Sequence, residues 1–148
     1  DDMQKKILII NGPNINLIGS REKNIYGETS IEEIKTECEL HGAKYYNFEI
    51  EFRQSNSEGD IINWLQEVEK KFDGLIINPA AYTHTSIAIL DSLKTITKPK
   101  IEIHLSNIHS REDYRKKSIT AEAADGLISG FGKNSYLLGI DAINQIIK

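Results

Sequence analysis

The strongest constraint in this sequence is a series of short, continuous apolar runs separated by stretches of helical period. Ile7-Leu8-Ile9-Ile10 is the first, rich in β-branched residues and closed by Asn11-Gly12-Pro13, so it reads as a buried strand. From Ser30 to about His41 the pattern changes: a capping box Ser30-x-x-Glu33 precedes Ile31, Ile34 and Cys38 on one helical face. Gly42 stands where a helix stop is expected. Tyr45 to Phe52 reads as a second strand. Ile61, Leu65, Val68 and Phe72 mark the next helix, and Asp73-Gly74 leads into a third strand, Leu75-Ile76-Ile77. Ile87, Leu90 and Leu93 give a third helix that ends near Pro99, followed by a strand from Ile101 to Leu105. Gly126 to Phe131 is the fifth strand, and Ile140, Ile143 and Ile147 mark a closing helix. Between Ser106 and Asp125 the pattern is weakest, with a short helix expected near Thr120 to Ala124.

Strands that are apolar throughout, alternating with helices, require a parallel sheet covered on both faces. Five of them in 148 residues point to a single α/β domain, a flavodoxin-like doubly wound five-stranded parallel sheet with helices on both faces. The formal net charge of −4 argues against nucleic acid as the main partner, because a phosphate footprint shows as a basic surplus. It leaves small anionic substrates open, since they respond to local charge. Cys38 is the only cysteine, which excludes an intrachain disulfide and a cysteine-rich metal site. No apolar run approaches the roughly 18 residues of a membrane span, and the first residues resemble neither a signal nor a transit peptide. Met3 reads as the natural start, behind Asp1 and Asp2. The expectation is a soluble, cytoplasmic protein.

The polar residues are placed informatively. Four clusters follow strands directly: Asn11-Gly12-Pro13-Asn14, Arg53-Gln54-Ser55-Asn56, Asn78-Pro79-Ala80-Ala81-Tyr82-Thr83-His84 and His104-Leu105-Ser106-Asn107. The carboxyl ends of parallel strands open on one edge, so these clusters are expected to converge on one crevice. The connection from Asn11 to Gly27 spans about 17 residues against roughly 2 to 6 for an ordinary strand-to-helix link, which suggests a lid over that edge. It carries Asn14, Asn16, Arg21, Glu22 and Tyr26, with Gly12, Gly19 and Gly27 as candidate hinges.

Several chemistries are absent by motif. There is no phosphate-binding G-x-x-x-x-G-K-[ST], no G-x-G-x-x-G and no nucleophile elbow G-x-S-x-G. His104 and His109 have poor spacing for a shared metal, and no H-E-x-x-H supports one. The end of the first strand holds Asn11 and Gly12 where a response regulator would need an acidic pair.

What remains suits acid–base chemistry without a cofactor. Tyr26 is a candidate base if a guanidinium favours its phenolate, and Arg21 lies on the same loop. His104, at a strand end, suits a general acid, and Glu102 two residues earlier shares its face of the sheet and is placed to orient the imidazole. His84 and Asp91 are seven apart, two turns along one helical face. Arg111 and Arg115 have the i, i+4 spacing of a helix, and either offers a fork for a carboxylate. Each also has a plain structural reading: Tyr26 as a loop anchor, His104 as a hydrogen-bonded core histidine, the arginines as solvated surface charges. Tyr82, Tyr114 and Tyr136 read as packing. Residue types and spacing alone establish an α/β domain with a polar crevice and acid–base residues, an enzyme or a ligand-binding module without turnover.

At these same residues the sequence closely resembles the type II 3-dehydroquinate dehydratases. The resemblance is carried by Ile9 to Leu17, Gly19-Ser20-Arg21-Glu22 with Ile25-Tyr26-Gly27, Phe52 to Gly59, Asn78 to Ser86, and Glu102 to Glu112, in order and across nearly the whole chain. It implies reversible dehydration of 3-dehydroquinate to 3-dehydroshikimate, without metal, nicotinamide or Schiff base, in a homo-oligomer that is a trimer-based dodecamer. It implies Tyr26 as base with Arg21 beside it, Asn14 stabilising the enolate through a bound water, and His104 as acid with Glu102 behind it. Asn78, His84, Asp91, Leu105, Ser106 and Arg115 match substrate-binding positions, with Asp91 reaching a neighbouring subunit's site. Arg111 matches less clearly and is alternatively a lid-ordering residue.

Overall fold

The computed structural model describes residues 3–18 and 29–148. Tyr26, Arg21 and most of the expected lid fall outside that range. Five strands form one parallel sheet: β1 (Lys5–Asn11), β2 (Phe48–Gln54), β3 (Gly74–Asn78), β4 (Lys100–His104) and β5 (Gly126–Ser129), in the spatial order β2-β1-β3-β4-β5. The chain winds outward from β1 in one direction, returns, and continues in the other, which is the doubly wound topology expected from the sequence.

Alternation along the central strands explains the layering. Ile7, Ile9 and Ile76 join one core cluster, while Leu8, Ile10, Leu75 and Ile77 join another on the opposite face. α1 (Ile31–Tyr46) and α5 (Asn134–Ile146) cover the first face through Ile34, Cys38, Tyr136, Ile140 and Ile143. α2 (Glu58–Leu65), α3 (Val68–Lys71) and α4 (Ile87–Lys94) cover the second through Ile61, Leu65, Val68, Ile89 and Leu93. Each such side chain taken out of water stabilises the fold by roughly 1.5–3 kcal/mol before entropy is set against it. Among the described residues no helix is long and apolar enough to cross a membrane.

Three local expectations are corrected. Gly42 does not end α1: it is buried inside the helix, where a Cβ would meet Ile50 Cγ1 at 2.7 Å, so the glycine serves the close packing of α1 on β2. The stop comes at Asn47, left-handed at φ 56°. The helix read across Ile61 to Phe72 is two pieces, α2 and α3, that keep their apolar residues on one face. His84 and Asp91 do not share a helix. Ser86 caps α4 by accepting from the Ile89 N–H at 2.9 Å, which leaves His84 in a separate 3-10 turn, Ala80–His84.

Candidate active site

The carboxyl ends of β1, β3 and β4 set the geometry. Asn11 and Asn78 stand opposite each other in the register of β1 and β3, where the order of the sheet reverses. Both are buried and tied together beneath the edge. The Tyr136 hydroxyl donates to Asn11 Oδ1 at 2.5 Å and accepts from Asn78 Nδ2 at 3.5 Å, while Asn11 Nδ2 donates to the Arg53 carbonyl at 3.1 Å. Above this floor lies a crevice of about 280 Å³, bordered by Asn14, Asn78, His84, His104, Ser106 and Arg115 among others.

Three of the four polar clusters expected to converge do line this crevice. The second, after β2, braces it instead. Asn56 Oδ1 accepts from the Asn14 N–H at 2.9 Å and from Gln54 Nε2 at 3.1 Å, and Gln54 Nε2 also donates to the Gly12 carbonyl. Asn14 itself is left-handed at φ 70°, a conformation that asparagine tolerates better than most residues. The β3 exit bends sharply: Ala80 has φ 54°, held by its N–H donating to Asn78 Oδ1 at 3.2 Å. Such strain in a residue with a Cβ clusters at functional sites. Here it turns the 3-10 segment so that His84 faces the crevice. His84 Nδ1 donates to the Lys117 carbonyl at 2.8 Å, which leaves Nε2 for a ligand.

His104 ends β4 and is nearly buried, with Nε2 2.7 Å from Glu102 Oε2. Glu102 has no solvent exposure at all. The alternation of β4 therefore places carboxylate and imidazole on one face, as the two-residue spacing requires. With Nε2 engaged, Nδ1 is the ring nitrogen left at the crevice wall. The β4 exit is fixed by the Ser135 hydroxyl, which donates to the His104 carbonyl at 3.1 Å. Leu105 and Ser106 follow directly, and Arg111 Nη1 donates to Ser106 Oγ at 3.3 Å.

Arg111 and Arg115 both border the crevice, but not from one helix. Arg111 is extended between two 3-10 turns, Ile108–Ser110 and Asp113–Arg115. Glu112 lies between the two arginines, 3.3 Å from Arg115 Nε and 4.0 Å from Arg111 Nε. Two guanidinium groups at one mouth, with a serine hydroxyl and the amides after β4, suit a carboxylate ligand. Asp91 does not join this group: it is exposed on α4 and does not border the crevice. Tyr26 and Arg21 lie outside the described residues. Among the described residues no group of three or more His, Cys, Asp or Glu side chains is arranged to hold a metal.

Residue spacing gave no sign of Ser118, Thr120 or Tyr136 at this site. Ser118 Oγ and Thr120 Oγ1 donate to Glu102 at 2.6 and 2.5 Å, from the stretch with the weakest secondary-structure pattern. Tyr136 packs as expected, yet its hydroxyl also joins Asn11 to Asn78.

The model of a family described as Dehydroquinase class II matches residues 5–144. A protein of Clostridium acetobutylicum named 3-dehydroquinate dehydratase is 53% identical over 142 residues, covering 96% of this chain and 98% of the relative. A 3-dehydroquinate dehydratase of Clostridium botulinum (strain Hall) is 52% identical over 143 residues, covering 96% and 97%. The crystal structure of a type II dehydroquinase from Butyrivibrio crossotus superposes with a TM-score of 0.92 at 45% identity, covering 95% of this chain and 98% of that one. With a family match over nearly its full length and relatives this similar, the chain belongs to the class II dehydroquinases.

Proposed function

We propose that this protein is a hydro-lyase that reversibly dehydrates 3-dehydroquinate to 3-dehydroshikimate in the shikimate pathway, toward chorismate and the aromatic amino acids. The observation that carries this reading is the His104–Glu102 pair at the wall of a crevice bordered by Ser106, Arg111 and Arg115, in a chain of this family.

In this reading Tyr26, its phenolate favoured by Arg21, takes the proton α to the ketone. The C–H electron pair moves into an enolate, which Asn14 stabilises through a bound water. The enolate then collapses, the bond to the β-hydroxyl breaks, and His104 supplies the proton with which that hydroxyl leaves as water. The Ser106 hydroxyl and the Leu105–Ser106 amides hold the substrate carboxylate, while Asn78, His84 and Arg115 bind its oxygens. Arg111 either joins them or orders the loop above. No metal, nicotinamide or Schiff base takes part. Asp91, exposed on α4, serves the site of a neighbouring subunit in a trimer-based dodecamer located in the cytoplasm.

The test is ultraviolet absorbance on mixing the protein with 3-dehydroquinate, because the product is a conjugated enone and the substrate is not. A rise with the wild type and none with Tyr26→Phe is the expected result. No rise with folded wild type would replace the dehydratase with a binding module that lacks turnover. A rise in both would keep the reaction and remove Tyr26 from its role.

A further inference from the structure

Glu102 is fully buried and meets three polar partners. Its Oε2 lies 2.7 Å from His104 Nε2 and accepts from Ser118 Oγ at 2.6 Å, and its Oε1 accepts from Thr120 Oγ1 at 2.5 Å. The direction of the Ser118 bond is supported from outside. The Ala121 N–H donates to Ser118 Oγ at 3.0 Å, so a lone pair of that oxygen is occupied and its single proton is free to point at Glu102. Ser118 Oγ and Thr120 Oγ1 lie 3.3 Å apart, with both protons already spent on the carboxylate.

The same stretch holds the other histidine of the crevice. The Lys117 carbonyl accepts from His84 Nδ1, and the Ile119 N–H donates to the Thr83 carbonyl at 3.0 Å. Five residues, 117–121, therefore reach both imidazoles from behind, one directly and one through Glu102.

We propose that Ser118 and Thr120 are positioning residues for His104: their hydroxyls fix Glu102 as an acceptor-only carboxylate, which fixes the Nε2–H tautomer of His104 and turns Nδ1 to the substrate. With the carboxylate held as acceptor, the protonated ring keeps its Nε2–H on Glu102, gives its Nδ1 proton to the leaving hydroxyl and returns to the neutral Nε2–H tautomer. A Glu102 released from these bonds no longer fixes which ring nitrogen keeps the remaining proton. The inference rests on His104 being the acid, as set out above.

The experiment follows the imidazole nitrogens of His104 by NMR in uniformly 15N-labelled protein, at a pH where the ring is neutral, with His104→Gln used to assign the signals. The wild type is expected to show a single Nε2–H tautomer. In Ser118→Ala/Thr120→Val the signals move to a mixed population. The kcat on 3-dehydroquinate falls roughly 10- to 100-fold with KM little changed, the scale on which loss of an orienting group shows. Thr120→Ser, which keeps the hydroxyl, retains the wild-type pattern. A folded double variant with an unmoved tautomer overturns the proposal, as does a Thr120→Ser variant as damaged as Thr120→Val, since shape and not the hydroxyl would then be at work. If the double variant does not fold, Ser118→Ala at its half-buried position decides the question by the same signals. Wild-type turnover in His104→Gln would remove the acid assignment by itself and leave the tautomer result standing.

Discussion

The backbone of Gly12 lies so close to Pro79 that a Cβ built on it would stand 2.3 Å from the Pro79 carbonyl oxygen and 2.7 Å from its carbon. The Gly12 N–H also donates to the Asn78 carbonyl at 2.8 Å, so the exits of β1 and β3 are locked together directly under the crevice. Any side chain at residue 12 must push backbone, which cannot yield as a flexible side chain can. Gly12→Ala is expected to cost about 2 kcal/mol, within the range for overpacking. For a chain of this size that lowers Tm by roughly 4–8 °C. Calorimetry checks this, and an unchanged Tm would show that the two exits separate freely.

In the mechanism proposed above, His104 acts only in the elimination half of the reaction. His104→Ala should lower kcat for dehydration by about 10²–10⁴, the usual contribution of a placed proton donor. Tyr26 is untouched, so enolate formation should continue. In D2O the variant is expected to exchange the substrate's α proton while releasing little dehydroshikimate, both followed by proton NMR. Loss of exchange and elimination in equal measure would place His104 in the first step instead.

The fold was legible because the central strands are buried on both faces. Ile7 to Ile10 and Leu75 to Ile77 have no exposure, and that demands continuous apolar runs that no surface element imitates. Local signals failed where one residue type serves two purposes. Gly42 reads as a stop from its conformational freedom, yet it is present for its lack of a Cβ against Ile50. His84 and Asp91 have helical spacing, but Ser86 between them is the cap that starts the helix. In the crevice, residues that follow strands could be placed from the sequence because strand ends share an edge. Ser118 and Thr120 could not, because their contact with Glu102 depends on how a stretch without periodicity folds over β4.

Tyr136 is fully buried against Phe52, with ring centroids 5.7 Å apart, and its hydroxyl supplies the donor for Asn11 Oδ1. Tyr136→Phe keeps the ring and removes the proton, leaving a buried amide oxygen unsatisfied. The expected cost is about 1–3 kcal/mol. Urea denaturation should show a lower midpoint with an unchanged slope, since the exposed surface does not change. Asn11→Leu in the same background should cost less than the two single losses added together, because the Tyr136–Asn11 bond is lost only once; what remains is the Arg53 carbonyl deprived of the Asn11 Nδ2 donor.

Glu67 is held by both forks of Arg53, with Nη1 3.1 Å from Oε2 and Nη2 3.4 Å from Oε1, while Lys71 Nζ lies 3.5 Å from Oε1. The guanidinium itself lies 5.6 Å from the ring centroids of Trp64 and Phe72, which limits its freedom to leave. The Arg53 hydrogen bonds hold the Glu67 carboxyl below its ordinary value of 4.5, against the opposing effect of burial. Unfolded chains then take up this proton at a higher pH than folded ones. The stabilisation is complete above pH 4.5 and is lost as the pH falls through the folded value. Because the site is partly open to solvent, its size is about 0.5–1 kcal/mol. Glu67→Gln should therefore be less stable than wild type at neutral pH and converge with it on acidification. Some acid sensitivity will persist in the variant through Glu69, whose carboxyl is held down by the Thr97 hydroxyl and the Thr97 and Lys98 amides. Denaturation midpoints collected across the acidic range test this, and a constant gap between the two proteins would mean that the Arg53–Glu67 pair contributes through packing and not through charge.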